Sequence, residues 1–174
     1  VGSEMCIRDR YKVHVASDRR RRENEPRHIL CFIADWKGKI MELFLGGCYQ
    51  GKKEYVLKLH PECKGQVIEG ENLPADWDGM IKELQEFENP VINHLHLWVR
   101  KCLEQQADVE LLTDKLLEAY PGLIFICDEI GNGIVPMDAL ERDYRERTGR
   151  MQIRIAQKAE RVERIVCGIS QRLK

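Results

Sequence analysis

Nowhere in this chain of 174 residues is there an apolar stretch long enough to cross a bilayer or to form the core of a signal peptide. A membrane-spanning protein is excluded on that ground, and a cytoplasmic location is expected. Paired cysteines are also missing: the seven present are an odd number and none stands in a CxxC arrangement. Neither disulfides nor a structural zinc site is expected, and Cys127 and Cys167, each set in an apolar run, read as reduced, buried thiols behaving as small hydrophobes. Internal repeats and low-complexity segments are absent, and the formal net charge is only −1.

The first residues, Val1-Gly2-Ser3-Glu4-Met5-Cys6-Ile7-Arg8-Asp9-Arg10, look like a translated sequencing-adapter tail and are set aside. Residues 11–39 hold the run Arg19-Arg20-Arg21-Arg22 but no helical or strand period. Such a run suits a nucleic-acid patch or a localisation signal. Its place in this leader favours an artefact or a disordered arm, and no nucleic-acid partner is expected. The natural start is expected at Met41, giving a leader over 1–40 and one domain over 41–174. About 134 residues have room for a five-stranded sheet and its covering helices, but not for a second catalytic domain.

What is present is a glycine loop between a strand and a helix. Met41-Glu42-Leu43-Phe44-Leu45 is an apolar run, and Gly46-Gly47-Cys48-Tyr49-Gln50-Gly51-Lys52-Lys53 follows it. The spacing Gly46-x4-Gly51-Lys52 is that of a phosphate-binding loop: glycines let backbone N–H groups face a phosphate chain, and the lysine brings a point charge to the outer phosphates. A helix starting near Gly51 aims its positive end at the same anion. In the complete pattern a Ser or Thr follows the lysine and gives its hydroxyl to Mg²⁺; Lys53 stands there instead, so metal-assisted catalysis is in question. A strand–Gly–Gly–helix turn also occurs in α/β proteins that bind nothing. The second signal is Leu123-Ile124-Phe125-Ile126-Cys127-Asp128-Glu129, an apolar run ending in two carboxylates, as expected of a buried parallel strand. Asp128 is placed to hold Mg²⁺ and Glu129 to orient or deprotonate a nucleophile. The two signals in this order predict an α/β, P-loop NTPase-like three-layer fold with a mostly parallel sheet.

Between and beyond them, helices are expected at 54–59, 77–87, 95–102, 109–120 and 138–159, with strands at 66–68, 91–93 and 164–169. The apolar positions Trp77, Met80, Ile81, Leu84 and Phe87 have helical spacing, and Pro90 stops that helix. Strands alternating with helices call for right-handed crossovers.

The C-terminal third carries a resemblance. Glu129-Ile130-Gly131-Asn132-Gly133-Ile134-Val135-Pro136, then Arg142-Asp143-Tyr144-Arg145-Glu146-Arg147-Thr148-Gly149-Arg150, then Ala156 and Ala159-Glu160-Arg161-Val162, resembles the adenosylcobinamide kinase/adenosylcobinamide-phosphate guanylyltransferase family of cobalamin biosynthesis. Met-x-Leu-x-x-Gly-Gly-x-x-x-Gly-Lys from Met41 is similar too. The resemblance implies a parallel P-loop sheet, commonly in a trimer, that phosphorylates adenosylcobinamide with GTP or ATP and Mg²⁺ and then transfers GMP through a guanylated histidine. It implies nucleotide contacts from Gly46, Gly47, Gly51, Lys52, Lys53, Arg145 and Arg150, with Lys52 and Glu129 catalytic. For Arg142 and Arg147 a solvated helix face and a ligand contact are both open readings.

The chain also departs from the family. The His-His-Lys-Asp-Gly-Arg-Pro segment has no counterpart, and residues 58–90 hold only His60, so guanylyl transfer is expected to be lost. Asn93 stands where the family has an acidic residue, followed by His94-Leu95-His96; as an i,i+2 pair without a third ligand, those histidines read as ordinary polar residues. Two functions of different class follow: a nucleotide-dependent adenosylcobinamide kinase-like protein, or a non-catalytic nucleotide- or corrinoid-binding paralogue.

Overall fold

A computed structural model describes residues 38–174. The expected leader falls almost wholly outside the described residues. Six strands form one sheet: β1 (Glu42–Gly46), β2 (Val67–Glu69), β3 (Val91–Asn93), β4 (Ile124–Asp128), β5 (Arg161–Val166) and β6 (Ile169–Arg172). Their order is β2-β3-β4-β1-β5-β6, parallel throughout except for the antiparallel β5–β6 pair. The helices are α1 (Lys52–Leu59), α2 (Trp77–Leu84), α3 (Leu95–Glu104), α4 (Val109–Ala119) and α5 (Ala139–Lys158), with a 3₁₀ turn at Pro61–Cys63.

Period-two alternation in the strands feeds two cores. Leu43, Phe125 and Cys127 face a large cluster with Met80 and Leu84 of α2, Trp98 and Val99 of α3, Leu112 and Leu116 of α4, and Tyr144, Met151 and Ile155 of α5. Phe44, Ile124, Ile126 and Ile165 face the other way, onto Val56 of α1 and Cys63. Helices therefore cover both faces, in the three layers expected of a P-loop NTPase-like fold. Asp76 and Asp108 cap α2 and α4 by accepting from the Gly79 and Leu111 amides.

Three expectations are corrected here. The sheet has six strands, not five, because 164–169 is not one strand: Cys167 (φ 52°) and Gly168 (φ 76°) form a two-residue turn with both residues left-handed. That geometry matches the strand twist of a tight hairpin, so β5 folds back into β6. Cys167 accordingly sits exposed at the hairpin tip and is not a buried hydrophobe, whereas Cys127 is buried and its thiol is pushed up to about 12 by burial. Helix α2 is also shorter than expected, ending at Leu84, with Phe87 packing on the core from the following turn.

Candidate functional site

The parallel register brings both sequence signals to one edge. Gly46 is the partner of Asp128 across β1 and β4, and the Glu129 amide donates to the Gly46 carbonyl at 2.9 Å. Gly46 has no alternative: a Cβ there would collide with the Ile165 carbonyl of β5. The chain then loops over the sheet end and enters α1 at Gly51, which caps the helix in the left-handed conformation (φ 79°). Gln50 ties the loop to the β5–β6 hairpin, its Oε1 accepting from the Cys167 amide at 2.7 Å and its carbonyl from the Gly168 amide at 2.9 Å.

Lys52 opens α1 and points back beneath this loop. Its Nζ donates to the Gly47 carbonyl at 2.7 Å and lies 2.7 Å from Asp128 Oδ1, with both side chains under one-tenth exposed. Asp128 Oδ1 accepts no well-directed hydrogen bond, so the Lys52 contact is ionic in character. His96 of α3 completes the floor: its Nδ1 accepts from the Asp128 amide at 3.4 Å and its Nε2 is 4.0 Å from Asp128 Oδ2. Burial lowers the His96 pKa; Asp128 opposes that, while His94, Lys52 and Arg100 reinforce it. Gln152 of α5 donates to the Asp128 carbonyl and to Cys127 Sγ.

A depression of about 450 Å³ opens beside the loop, bounded by Tyr49, Gly51, Lys52, Lys53, Glu69 and His94 among others. Its far wall is the carboxyl end of β2 and β3, where Glu69 and Asn93 are register partners. Glu69 Oε1 accepts from Lys53 Nζ at 2.8 Å, and Oε2 is 2.7 Å from Asn93 Nδ2 and 2.9 Å from His94 Nδ1. Burial pushes the Glu69 carboxyl up, but the hydrogen bonds from Lys53, Asn93 and His94 outweigh it and hold it below the usual carboxylate value.

The structure thus brings Gly46, Gly47, Gly51, Lys52, Lys53 and Asp128 together. Glu129 adjoins them but is held in a fork by Arg164 of β5, with Arg164 Nε to Oε1 and Nη2 to Oε2 both at 2.7 Å. Arg145 and Arg150 do not line the depression. Helix α5 buries Tyr144, Thr148, Met151 and Ile155, which turns Arg150 outward into an i,i+4 pair with Glu146. Arg145 donates to the Ile134 carbonyl, Arg142 to those of Pro136 and Met137, and Arg147 pairs with Asp143 and Glu110. Sequence reasoning missed Glu69, His96 as a neighbour of Asp128, and Arg164. For Glu69 a signal existed: Val67-Ile68-Glu69 repeats, in shorter form, the apolar-run-then-carboxylate pattern that singled out Asp128.

Mg²⁺ does not fit this donor set. The position after Lys52 offers an ammonium in place of a hydroxyl, Glu69 has both oxygens engaged, and Asp128 faces Lys52. No cluster of three or more metal-ligating side chains occurs among the described residues. No helix of the described residues is long and apolar enough to cross a membrane.

A mostly parallel sheet whose first strand delivers a glycine loop and a buried lysine against an acidic strand end defines a P-loop NTPase-like α/β protein. The family model described as cobinamide kinase / cobinamide phosphate guanyltransferase matches residues 57–173, and the chain belongs to that family. The matched span begins inside α1, so the glycine loop precedes it. A relative from Salmonella typhimurium, described as bifunctional adenosylcobalamin biosynthesis protein CobU, is 30% identical over 108 residues, which is 62% of this chain and 49% of that protein. The chain spans about half the length of that relative.

Proposed function

We propose that this chain is a nucleotide-dependent, adenosylcobinamide kinase-like protein of cobalamin biosynthesis whose guanylyltransferase half is lost. Lys52 carries the reading: a buried ammonium beneath a glycine loop, paired with a carboxylate at the end of the neighbouring strand, is a device for exchanging an internal counter-ion for a phosphate. GTP or ATP then lies with its phosphates along Gly47 to Lys52, where the α1 terminus and Lys52 neutralise them. Phosphoryl transfer needs positioning and charge neutralisation more than covalent chemistry. Glu129 takes the acceptor proton in this reading once Arg164 releases it. The acceptor is a corrinoid of the adenosylcobinamide type, and a homo-oligomer belongs to the same proposal. Arg145 and Arg150, which do not line the depression, have no part in it.

A second reading, a non-catalytic nucleotide- or corrinoid-binding protein, is favoured by the Arg164 fork, which engages both oxygens of the carboxylate placed to act as base. The two separate in one experiment: the full chain is incubated with γ-labelled GTP or ATP and adenosylcobinamide, and the corrinoid is chromatographed. Label on the corrinoid that disappears in Lys52→Ala supports the kinase. Binding of nucleotide or of corrinoid without transfer supports the second reading, and absence of binding to either ligand sinks both.

A further inference from the structure

Lys52 and Lys53 are adjacent in sequence where the loop enters α1, but their ammonium groups go to different places. Lys52 is buried and committed to Asp128 and Gly47, whereas the Lys53 side chain is 41% exposed and reaches across the depression to Glu69. A hydroxyl at position 53 would offer a neutral oxygen to a divalent cation sitting among phosphates. An ammonium there repels such a cation and neutralises the same phosphate oxygens itself. We infer that Lys53 replaces the metal in ground-state binding, so that this loop takes the phosphate chain of a nucleoside triphosphate without a divalent cation. The inference rests on the reading above that the loop binds nucleotide.

Glu69 is what the phosphates compete with. It holds Lys53 at 2.8 Å at the rim of the depression, in a pair open enough to solvent that breaking it costs little. The lysine stem is flexible, so its charge can swing from the carboxylate to a phosphate lying between the loop and the β2–β3 wall. Asn93 and His94 stay on Glu69 Oε2 throughout, so the carboxylate remains hydrogen-bonded when Lys53 leaves. Affinity is then set by an exchange of partners within one cavity, with Lys53 as the moving charge.

Titration calorimetry on the full chain tests this, with GTP and with inorganic triphosphate, each in Mg²⁺ and in EDTA. The expected result is that both ligands bind and that the dissociation constants in the two buffers agree to within about threefold. Lys53→Ala weakens binding in EDTA by about tenfold or more, and Glu69→Gln, which removes the competing charge, tightens it several-fold, on the order of half the free energy of the lysine loss. Lys53→Ser, by restoring the hydroxyl, makes binding recover when Mg²⁺ is added. GTP binding that vanishes in EDTA, or that ignores both Lys53→Ala and Glu69→Gln in folded variants, overturns the inference and leaves the nucleotide reading standing. GTP that binds under neither condition overturns the nucleotide reading itself.

Discussion

Lys52 and Asp128 lie 2.7 Å apart with under one-tenth of either side chain exposed, so removing either alone strands a charge in the interior. Breaking a buried pair in this way costs about 3–5 kcal/mol. Lys52→Ala is therefore expected to lower the thermal midpoint and to weaken GTP or ATP binding at least about tenfold, ~1.4 kcal/mol. The double variant Lys52→Met, Asp128→Asn should recover most of the stability and none of the affinity; a double variant that binds nucleotide normally would sink the phosphate role of Lys52. His96 gives this floor a pH dependence. Burial lowers its folded pKa below the ordinary histidine value of 6.5, so below that pH the unfolded chain takes up the proton first. The unfolded state then binds more protons, and stability falls as pH drops from about 7.5 to about 5.5. Urea midpoints across that range should fall in the parent and flatten in His96→Gln; an unchanged slope in the variant removes His96 as the cause. Glu69, whose pKa is also lowered, adds a loss only as pH falls through and below the ordinary glutamate value of 4.5.

At the scale of elements, the glycine loop is held by what lies across the sheet. Gly46 is pressed against Ile165, and Gln50 is pinned to the turn between β5 and β6, so a hairpin more than a hundred residues away in sequence shapes the loop. Gln50→Ala takes the acceptor from the Cys167 amide at an exposed site where water replaces it, a loss of about 0.5–1 kcal/mol. The expected outcome is a small fall in stability with a several-fold weaker nucleotide dissociation constant, because the loop is less well ordered before it binds. Should Gln50→Ala change stability and leave affinity untouched, the hairpin supports the fold alone. Helix α5 is held to its neighbours by ion pairs: Arg147 contacts Glu110 of α4, Arg154 contacts Asp114 of α4, and Glu141 receives Arg100 of α3.

At the scale of the whole molecule, distance decides which histidine stands near the loop. His60 closes α1 and its Nε2 is 2.7 Å from Glu42, the first residue of β1, whereas the glycine loop leaves from Gly46 at the other end of that strand. The strand alone separates them by about 13 Å. Guanylylated protein is therefore not expected to accumulate with α-labelled GTP. An acid-labile, base-stable labelled band that is lost in a His94 or His96 variant would restore the bifunctional assignment, since both side chains lie near the loop.

The glycine spacing, the apolar strand ending in Asp128 and the alternation of strands with helices were all readable along the chain, because each depends on contacts between near neighbours in sequence. Local chemistry alone requires Gly51 to turn, Asp128 to end a buried strand and the run from Trp77 to be amphipathic. The sixth strand hid behind a Val-Cys-Gly-Ile run that reads as continuous, because its turn depends on two left-handed residues and not on composition. Glu69 beside Lys53, Arg164 on Glu129, His96 under Asp128 and the outward turn of Arg150 were decided only by the fold. Each depends on which strand ends lie side by side and which helix face is buried, and register and packing fix those across separations that no local pattern encodes.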